Sequence, residues 1–524
     1  MHNMLMANTP KSATASHSVK PQGGFKGFLD SYFKITERGS DLGREVRGGL
    51  VTFFAMSYII VLNPLILGLT PDSQGNFLGA ELATGDPTAM GAGIPLIAAA
   101  TALIAGIMSI AMGSVANYPI ALAAGLGLNA LVAFTIVKMD GMTWADGMGL
   151  VVLEGLVILV LVLTGFRTAV FRAVPAGLKT AISVGIGTFI AFIGLVNAGI
   201  VTTPAMFDYI PGNQPGTPVK LGTSGSFDSW PMLVFVVGLL AIVLLTARKV
   251  KGAMLWSILG TTVFAVIVEK VADLGPKNID GTGAAANPSG WNLNAPTIPE
   301  DWFQIPNFGL LGQFSLFGAI PKIGILAVAL IVFSLLLADF FDTMGTMVAV
   351  GAEAGLLDEE GNPPNTQKIL VIDSLAAVAG GVGSVSSNTA FIESASGVGE
   401  GARTGLAPIV TGAAFLLSTF LAPLVGMVPY EAATPALVFV GFLMMTQVTG
   451  IKWNDFEIAL PAFLTIVIMP FTYSITDGIG AGFLFWAAIQ IVKGKGKKVH
   501  PLMWVVCIMF LVYFVLGPIQ NALL

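Results

Sequence analysis

The chain has 524 residues, of which 55% are hydrophobic and 10% charged, with mean hydropathy +0.83 and a formal net charge of −5. Soluble proteins carry about 25% charged residues, so the composition excludes an ordinary soluble enzyme, and repeated apolar runs of near-spanning length indicate a polytopic α-helical membrane protein. The sole cysteine, Cys507, rules out an internal disulfide framework or a cysteine metal cluster, and nothing in the charge pattern suggests nucleic-acid binding.

Residues 1–24 are polar and are expected to be disordered; they lack the basic start and apolar centre of a signal peptide. Phe25, Phe28, Leu29, Tyr32 and Phe33 then recur at helical spacing, with Lys26 and Lys34 among them. That pattern suits a short helix on the membrane surface, or a juxtamembrane linker. Hydrophobic periodicity predicts helices near 47–69, 93–113, 123–138, 147–166, 172–199, 230–249 and 252–272. A second series runs near 322–349, 366–383, 388–402, 405–425, 429–450, 455–472 and 475–493, and one further apolar stretch covers 502–521.

Basic residues orient the series. Arg44 and Arg47 precede the first helix, Arg167 and Arg172 follow the fourth, Arg248, Lys249 and Lys251 follow the sixth, and Lys493 to Lys498 follow the fourteenth. With the N-terminus in the cytoplasm, all these groups fall on the cytoplasmic side. The Gly/Pro/Asn-rich loops 200–229 and 273–321 are then external. Seven helices on either side of the second loop give the halves opposite topology. Both halves have a third member that is short and rich in small residues, the sequence pointer to a transporter's central site. The stretch 502–521 either crosses again or lies against the bundle.

The sharpest departure from the apolar background is Leu337-Ala338-Asp339-Phe340-Phe341-Asp342-Thr343-Met344-Gly345-Thr346-Met347. At about 100° per residue, Asp339, Asp342, Thr343 and Thr346 share one helical face. A carboxylate deep in a membrane helix costs at least ~2.5 kcal/mol, so it must face a partner, water or a ligand. The third segment carries Gly125-Leu126-Gly127-Leu128-Asn129-Ala130, whose glycines allow close backbone approach and whose Asn129 offers both donor and acceptor. Its likeness to a dinucleotide-binding pattern is set aside, because no βαβ unit or ribose-binding acid accompanies it. In the tenth segment Ser387, Asn388 and Thr389 are good N-cap residues, so a half-helix is expected to start there with Glu393 one turn in. Phe391 beside Glu393 suits a flat heterocycle that stacks on a ring and is hydrogen-bonded at its edge. Glu154 and Asp373 are expected to support the unwound segments, and Glu400 to pair with Arg403. The three histidines, His2, His17 and His500, lie in polar or terminal segments, so any proton relay inside the membrane falls to carboxylates.

Together, Asp339 to Thr346, Gly125 to Ala130 and Ser387 to Gly405 resemble the AzgA-like purine permease branch of the nucleobase:cation symporter (nucleobase–ascorbate transporter) family, and the resemblance covers most of residues 40–495. It implies an all-α, 7+7 inverted-repeat transporter of the uracil-permease type, with short strands before half-helices 3 and 10. The implied division is a cytoplasmic tail with interfacial helix (1–46), core domain (47–166 and 322–425), gate domain (167–272 and 426–524, with the C-terminal hydrophobic segment) and extracellular loop (273–321). The resemblance assigns base contacts to Asn129, Asp339 and Glu393, with Phe391 and Ile392 at backbone-contact positions. Asp342 stands where the uracil branch has a substrate-binding glutamate. Thr346 stands where that branch has a histidine, so a histidine-assisted proton route is not carried over.

The expected function is proton-coupled uptake of hypoxanthine and guanine, or of adenine, by elevator-type alternating access in the bacterial inner membrane. A homodimer in the lipid bilayer is expected, with the proton as coupling ion and no other cofactor. The substrate-binding set is Asn129, Asp339, Glu393, Phe391, Ile392 and Gly127. Asp342, Asp339 and Glu393 are the candidates for proton coupling, with Thr343, Thr346, Asn388 and Ser394 in support. An intramembrane aspartyl protease, the rival from another class, places its two aspartates on separate helices, whereas here both share one.

Overall fold

The computed structural model describes residues 24–165, 174–202, 219–222, 227, 229–277, 287, 289–292, 294–358 and 362–523. The expected polar tail thus lies outside the described residues except for Gly24, as do Arg167, Arg172 and most of the loop 200–229. Helix α1 (Phe25–Phe33) buries Phe33, leaves Phe28 and Tyr32 exposed, and is tied down by the Tyr32 hydroxyl donating to the Ser114 carbonyl at 2.7 Å.

The first span is two helices, α2 (Leu42–Met56) and α3 (Ile59–Gly68), interrupted at Ser57–Tyr58. Asp41 caps α2 by accepting from the Arg44 N–H. A loop helix α4 (Ala80–Thr84) leads to α5 (Ile94–Ala111). Strand β1 (Leu122–Ala124) and the short α6 (Leu126–Leu131) form the third member, and α7 (Trp144–Leu163) starts from a Thr143–Asp146 capping box. Next come α8 (Ala176–Asn197), the pairing strands β2 (Val201–Thr202) and β3 (Lys220–Leu221), α9 (Trp230–Ala247) and α10 (Ala253–Ala272).

The second series opens with α11 (Ile320–Ala354), kinked at Gly324 where φ is 80°, followed by α12 (Thr366–Val382). Strand β4 (Asn388–Ala390) and α13 (Ser394–Gly399) form its third member. The series closes with α14 (Leu406–Ser418), α15 (Tyr430–Met445), α16 (Phe456–Thr472) and α17 (Ile475–Val492). The two sets, each with a broken third member, make the 7+7 inverted-repeat architecture. The last helix, α18 (Pro501–Leu523), packs against α17 and α11.

Strands β1 and β4 pair antiparallel, Leu122 with Ala390, Ala123 with Thr389 and Ala124 with Asn388. Non-helical backbone survives at membrane depth only where protein satisfies its polar groups. Here the Gly125 N–H donates to the Ser387 carbonyl at 2.9 Å and the Phe391 N–H to the Ala121 carbonyl at 3.1 Å. The Ser109 hydroxyl on α5 accepts from the Leu122 N–H and donates to its carbonyl. The strands correct the residue-level expectation of helices over 123–138 and 388–402. Asn388 and Thr389 lie in β4 rather than at a helix cap, and Glu393 occupies the position just before α13. Cap propensity lost to backbone pairing with a remote strand.

The helices form two packed groups. In one, α2 and α5 pack on α14, α7 on α12, and α13 on α2; in the other, α8 packs on α15 and α16, α16 on α17, and α9 on α10 and α15. Glu400, expected to pair with Arg403, instead bridges Arg47 at 2.8 Å and Lys251. One guanidinium nitrogen of Arg403 donates instead to the carbonyls of Val398, in the last turn of α13, and Ala402, beyond its end, at 2.6 and 2.7 Å. Since Glu400 joins residues from near the starts of α2 and α10, these basic residues share one end of the bundle.

Candidate functional site

On α11 the acidic stripe straddles two environments. At 100° per residue, Asp342 stands about 60° to one side of Asp339 and Thr343 about 40° to the other. Asp342 and Thr346, with Ala338, Gly345 and Ala349, line a cavity of about 550 Å³, within the ~300–1,000 Å³ range of small-molecule pockets. Asp339 and Thr343 are buried outside its lining. Phe340 and Met347 are buried, and the Phe341 side chain lies outside the described residues.

One wall of the cavity comes from the strand–helix junctions. Gly125 and Gly127 line it beside α6, and Phe391, Ile392 and Glu393 line it between β4 and α13. The opposite wall belongs to the second helical group, with Ser183 and Ile186 on α8, Met444 on α15, and Gln447 beyond it. Asp342 is exposed to this space, and Ile392 is 45% exposed. The Glu393 Oε1 accepts from the Tyr58 hydroxyl at 2.7 Å, and the Tyr58 and Phe391 rings lie 6.4 Å apart at 45°. Gly127 also serves packing: a Cβ there would meet Ile186 Cγ2 at 2.7 Å. A Cβ on Gly125 would meet Thr389 Cγ2 at 2.8 Å. The two glycines therefore let the half-helix approach both α8 and β4.

Behind this wall lies a buried polar layer. Asp339 is fully buried with Thr389 beside it, yet neither carboxyl oxygen has a hydrogen bond of ordinary geometry among the described residues. The Thr343 hydroxyl donates to Asp373 Oδ1 at 2.9 Å. Its single proton is spent there, so the Thr389 hydroxyl, 2.7 Å away, is the donor in the Thr343–Thr389 contact. The Ser387 hydroxyl donates to Glu154 Oε2 at 3.5 Å. Asn129 and Asn388 are fully buried, and their amides have no hydrogen-bond partner among the described residues. Ser394 is a structural link, its hydroxyl accepting from the Ala121 N–H at 3.0 Å.

The structure thus brings Glu393, Phe391, Ile392, Gly127, Asp342 and Thr346 together around one space. Asn129, Asp339, Thr343, Asn388 and Ser394 lie outside its lining. Sequence reasoning missed Tyr58, Ser183 and Gln447. Tyr58 carried a signal: a hydroxyl within an apolar span needs a partner.

The model of the Permease family (Xan_ur_permease) matches residues 43–480. The chain belongs to this permease family. Among similar proteins, the guanine/hypoxanthine permease PbuG of Bacillus subtilis is 37% identical over 487 residues, covering 93% of this permease and 99% of the relative. The adenine permease AdeP of Escherichia coli is 34% identical, with 95% and 99% covered. The solved transmembrane domain of the cyanobacterial bicarbonate transporter BicA superposes with a TM-score of 0.55 at 13% identity, covering 84% of this permease and 97% of that chain. That likeness concerns the fold alone. The protein is a multi-pass membrane permease and not an enzyme, which removes the aspartyl protease reading.

Proposed function

We propose that this permease takes up purine nucleobases, hypoxanthine and guanine in the first place. The observation that carries the reading is the cavity that two acids, Asp342 and Glu393, line together with Phe391. A purine is flat, stacks on a ring, and presents N–H donors at its edge. Glu393 and Asp342 are the acids that would meet those donors, while Asp339 with Asn129 lies in the layer behind. The 37% identity to a guanine/hypoxanthine permease favours 6-oxopurines. The 34% identity to an adenine permease keeps adenine as the second reading.

Uptake is driven by protons. No described histidine lies in a span, so the titrating group is a carboxyl among Asp339, Asp342 and Glu393. A carboxyl sheltered from water holds its proton more readily than one in bulk solvent. Movement of the group holding α11 and the two strands (core) against the group holding α8 and α15 (gate) gives elevator-type access, because the cavity lies between them. The N-terminus is cytoplasmic, in the bacterial inner membrane, because Arg47 and Lys251 gather at the end where Glu400 lies. The functional unit is a homodimer, as the family resemblance implies.

The test is uptake of labelled hypoxanthine into cells, competed by a panel of unlabelled bases, with and without a protonophore. Competition by hypoxanthine and guanine, weaker competition by adenine, and collapse with the protonophore are expected. Competition by pyrimidines alone would overturn the substrate class, and uptake that follows sodium instead would overturn the coupling.

A further inference from the structure

We propose that Tyr58 is the positioning residue of the purine site: its hydroxyl holds Glu393 Oε1, so that Glu393 meets the base through Oε2. This rests on the purine reading above and adds to it a residue from the first span. Tyr58 is only 2% exposed, lines the cavity, and donates to Glu393 at 2.7 Å. It lies within electrostatic reach of Asp342 as well.

Three features of the chain place the ring there. The ladder of the first span is interrupted at Ser57–Tyr58, where both residues keep helical dihedrals, and the Tyr58 side chain there reaches Glu393, just before α13. Helix α2 approaches α13 at glycine distance: a Cβ on Gly48 would fall 2.8 Å from the Gly397 carbonyl, and one on Gly397 would fall 2.3 Å from Thr52 Oγ1. The register between the two elements is therefore tight. Finally, the Tyr58 ring contacts Phe391 at 6.4 Å, so the same side chain supports the aromatic wall and the acid.

The chemistry has a consequence for recognition. A phenol that gives its one proton to Glu393 presents only lone pairs elsewhere. Tyr58 and Glu393 then offer the ligand acceptors, an arrangement that takes a purine edge carrying N–H donors. Without the hydroxyl, Glu393 gains rotamers and the fixed direction of its second oxygen is lost. The cost falls on binding rather than on the transport cycle.

The experiment is equilibrium binding of labelled hypoxanthine to purified, monodisperse full-length protein, together with uptake kinetics, for the wild type, Tyr58→Phe, Glu393→Gln and the double variant. We expect Tyr58→Phe to weaken binding and raise KM about tenfold, with maximal rate within about twofold. The double variant binds no worse than Glu393→Gln alone, because the tyrosine acts through the acid. A fall in maximal rate and membrane abundance with KM unchanged, or losses that add in the double variant, would overturn the proposal. If Tyr58→Phe does not fold, Glu393→Asp, which draws the acid back by one methylene with Tyr58 intact, reads the same contact; a KM equal to wild type there would also overturn it. A wild-type protein that binds no purine defeats the purine reading itself. Wild-type binding that Tyr58→Phe matches defeats only this inference.

Discussion

Asp342 and Asp339 stand less than one turn apart on α11, yet they occupy different worlds. Asp342 faces an open cavity with Glu393 across from it, while Asp339 is sealed into a layer with Thr389 beside it and Asp373 and Glu154 close by. The two regions share a helix and a residue type but not an environment. A helical stripe therefore does not define a site by itself: a rotation of about 60° between neighbours is enough to place one acid against a ligand space and the other among fixed hydroxyls. The cavity face is built for something that comes and goes. The buried layer is built from side chains that stay.

The largest effect should come from the cavity side. Glu393→Gln should reduce purine uptake about a hundredfold or more while the protein still reaches the membrane, measured as initial uptake rate normalised to surface protein. Normal uptake in that variant would break the comparison at its strongest point. Gly127→Val probes the cavity rim by volume, since even a Cβ meets Ile186 at 2.7 Å. Overpacking of this kind costs about 1–3 kcal/mol. It should lower the thermal midpoint and slow transport together, as α6 is pushed from α8. A fully stable Gly127→Val protein would mean that the two helical groups separate more freely than the packing suggests.

In the buried layer the expected effects are on stability before binding. Thr343→Val removes the donor to Asp373 and the acceptor for Thr389. Leaving buried polar groups with one fewer partner costs about 1–3 kcal/mol, read as a lowered unfolding midpoint with hypoxanthine affinity little changed. An unchanged midpoint with lost affinity would move Thr343 to the cavity side. The smallest effect belongs outside both regions. Glu400→Gln loosens an ion pair with Arg47 and Lys251 whose basic partners are about half exposed. Such pairs contribute little against solvent screening, so stability and affinity should stay close to wild type at ordinary ionic strength.

How much of this was legible from the residues alone differs from element to element. The spanning helices were written in apolar runs long enough to cross a bilayer. The parity of seven and seven was visible because a long loop divides the runs. The broken third members announced themselves through Gly125, Gly127 and the Ser387–Thr389 polar triplet, but not their form. Strand pairing between Leu122 and Ala390 is a contact between segments far apart in the chain. Local propensity holds no record of it, and the same Asn and Thr that cap helices were used as strand residues. Glu393 and Phe391 stood out because charge and aromatic lay two residues apart in the segment that leads into a half-helix. Tyr58 did not, since its role exists only once the first span is laid beside the tenth. The Glu400–Arg403 expectation failed for a related reason: nearness in sequence suggested a pair, while the carbonyls of Val398 and Ala402 claimed the guanidinium. The separation of Asp339 from Asp342 was equally hidden, because periodicity gives a face and not the boundary that crosses it.

The central claim is that the ligand meets the Asp342 side of α11 and not the Asp339 side. The family resemblance gives Asp339 to the base, and the geometry of the cavity gives Asp342. Equilibrium binding of labelled hypoxanthine to purified Asp342→Asn and Asp339→Asn proteins decides between them. Loss of one charge-assisted hydrogen bond is worth about 1.5–3 kcal/mol, roughly ten- to hundredfold in affinity. The account predicts that Asp342→Asn weakens binding by that factor while Asp339→Asn binds within about threefold of wild type. Normal binding by Asp342→Asn with binding lost in Asp339→Asn would contradict it.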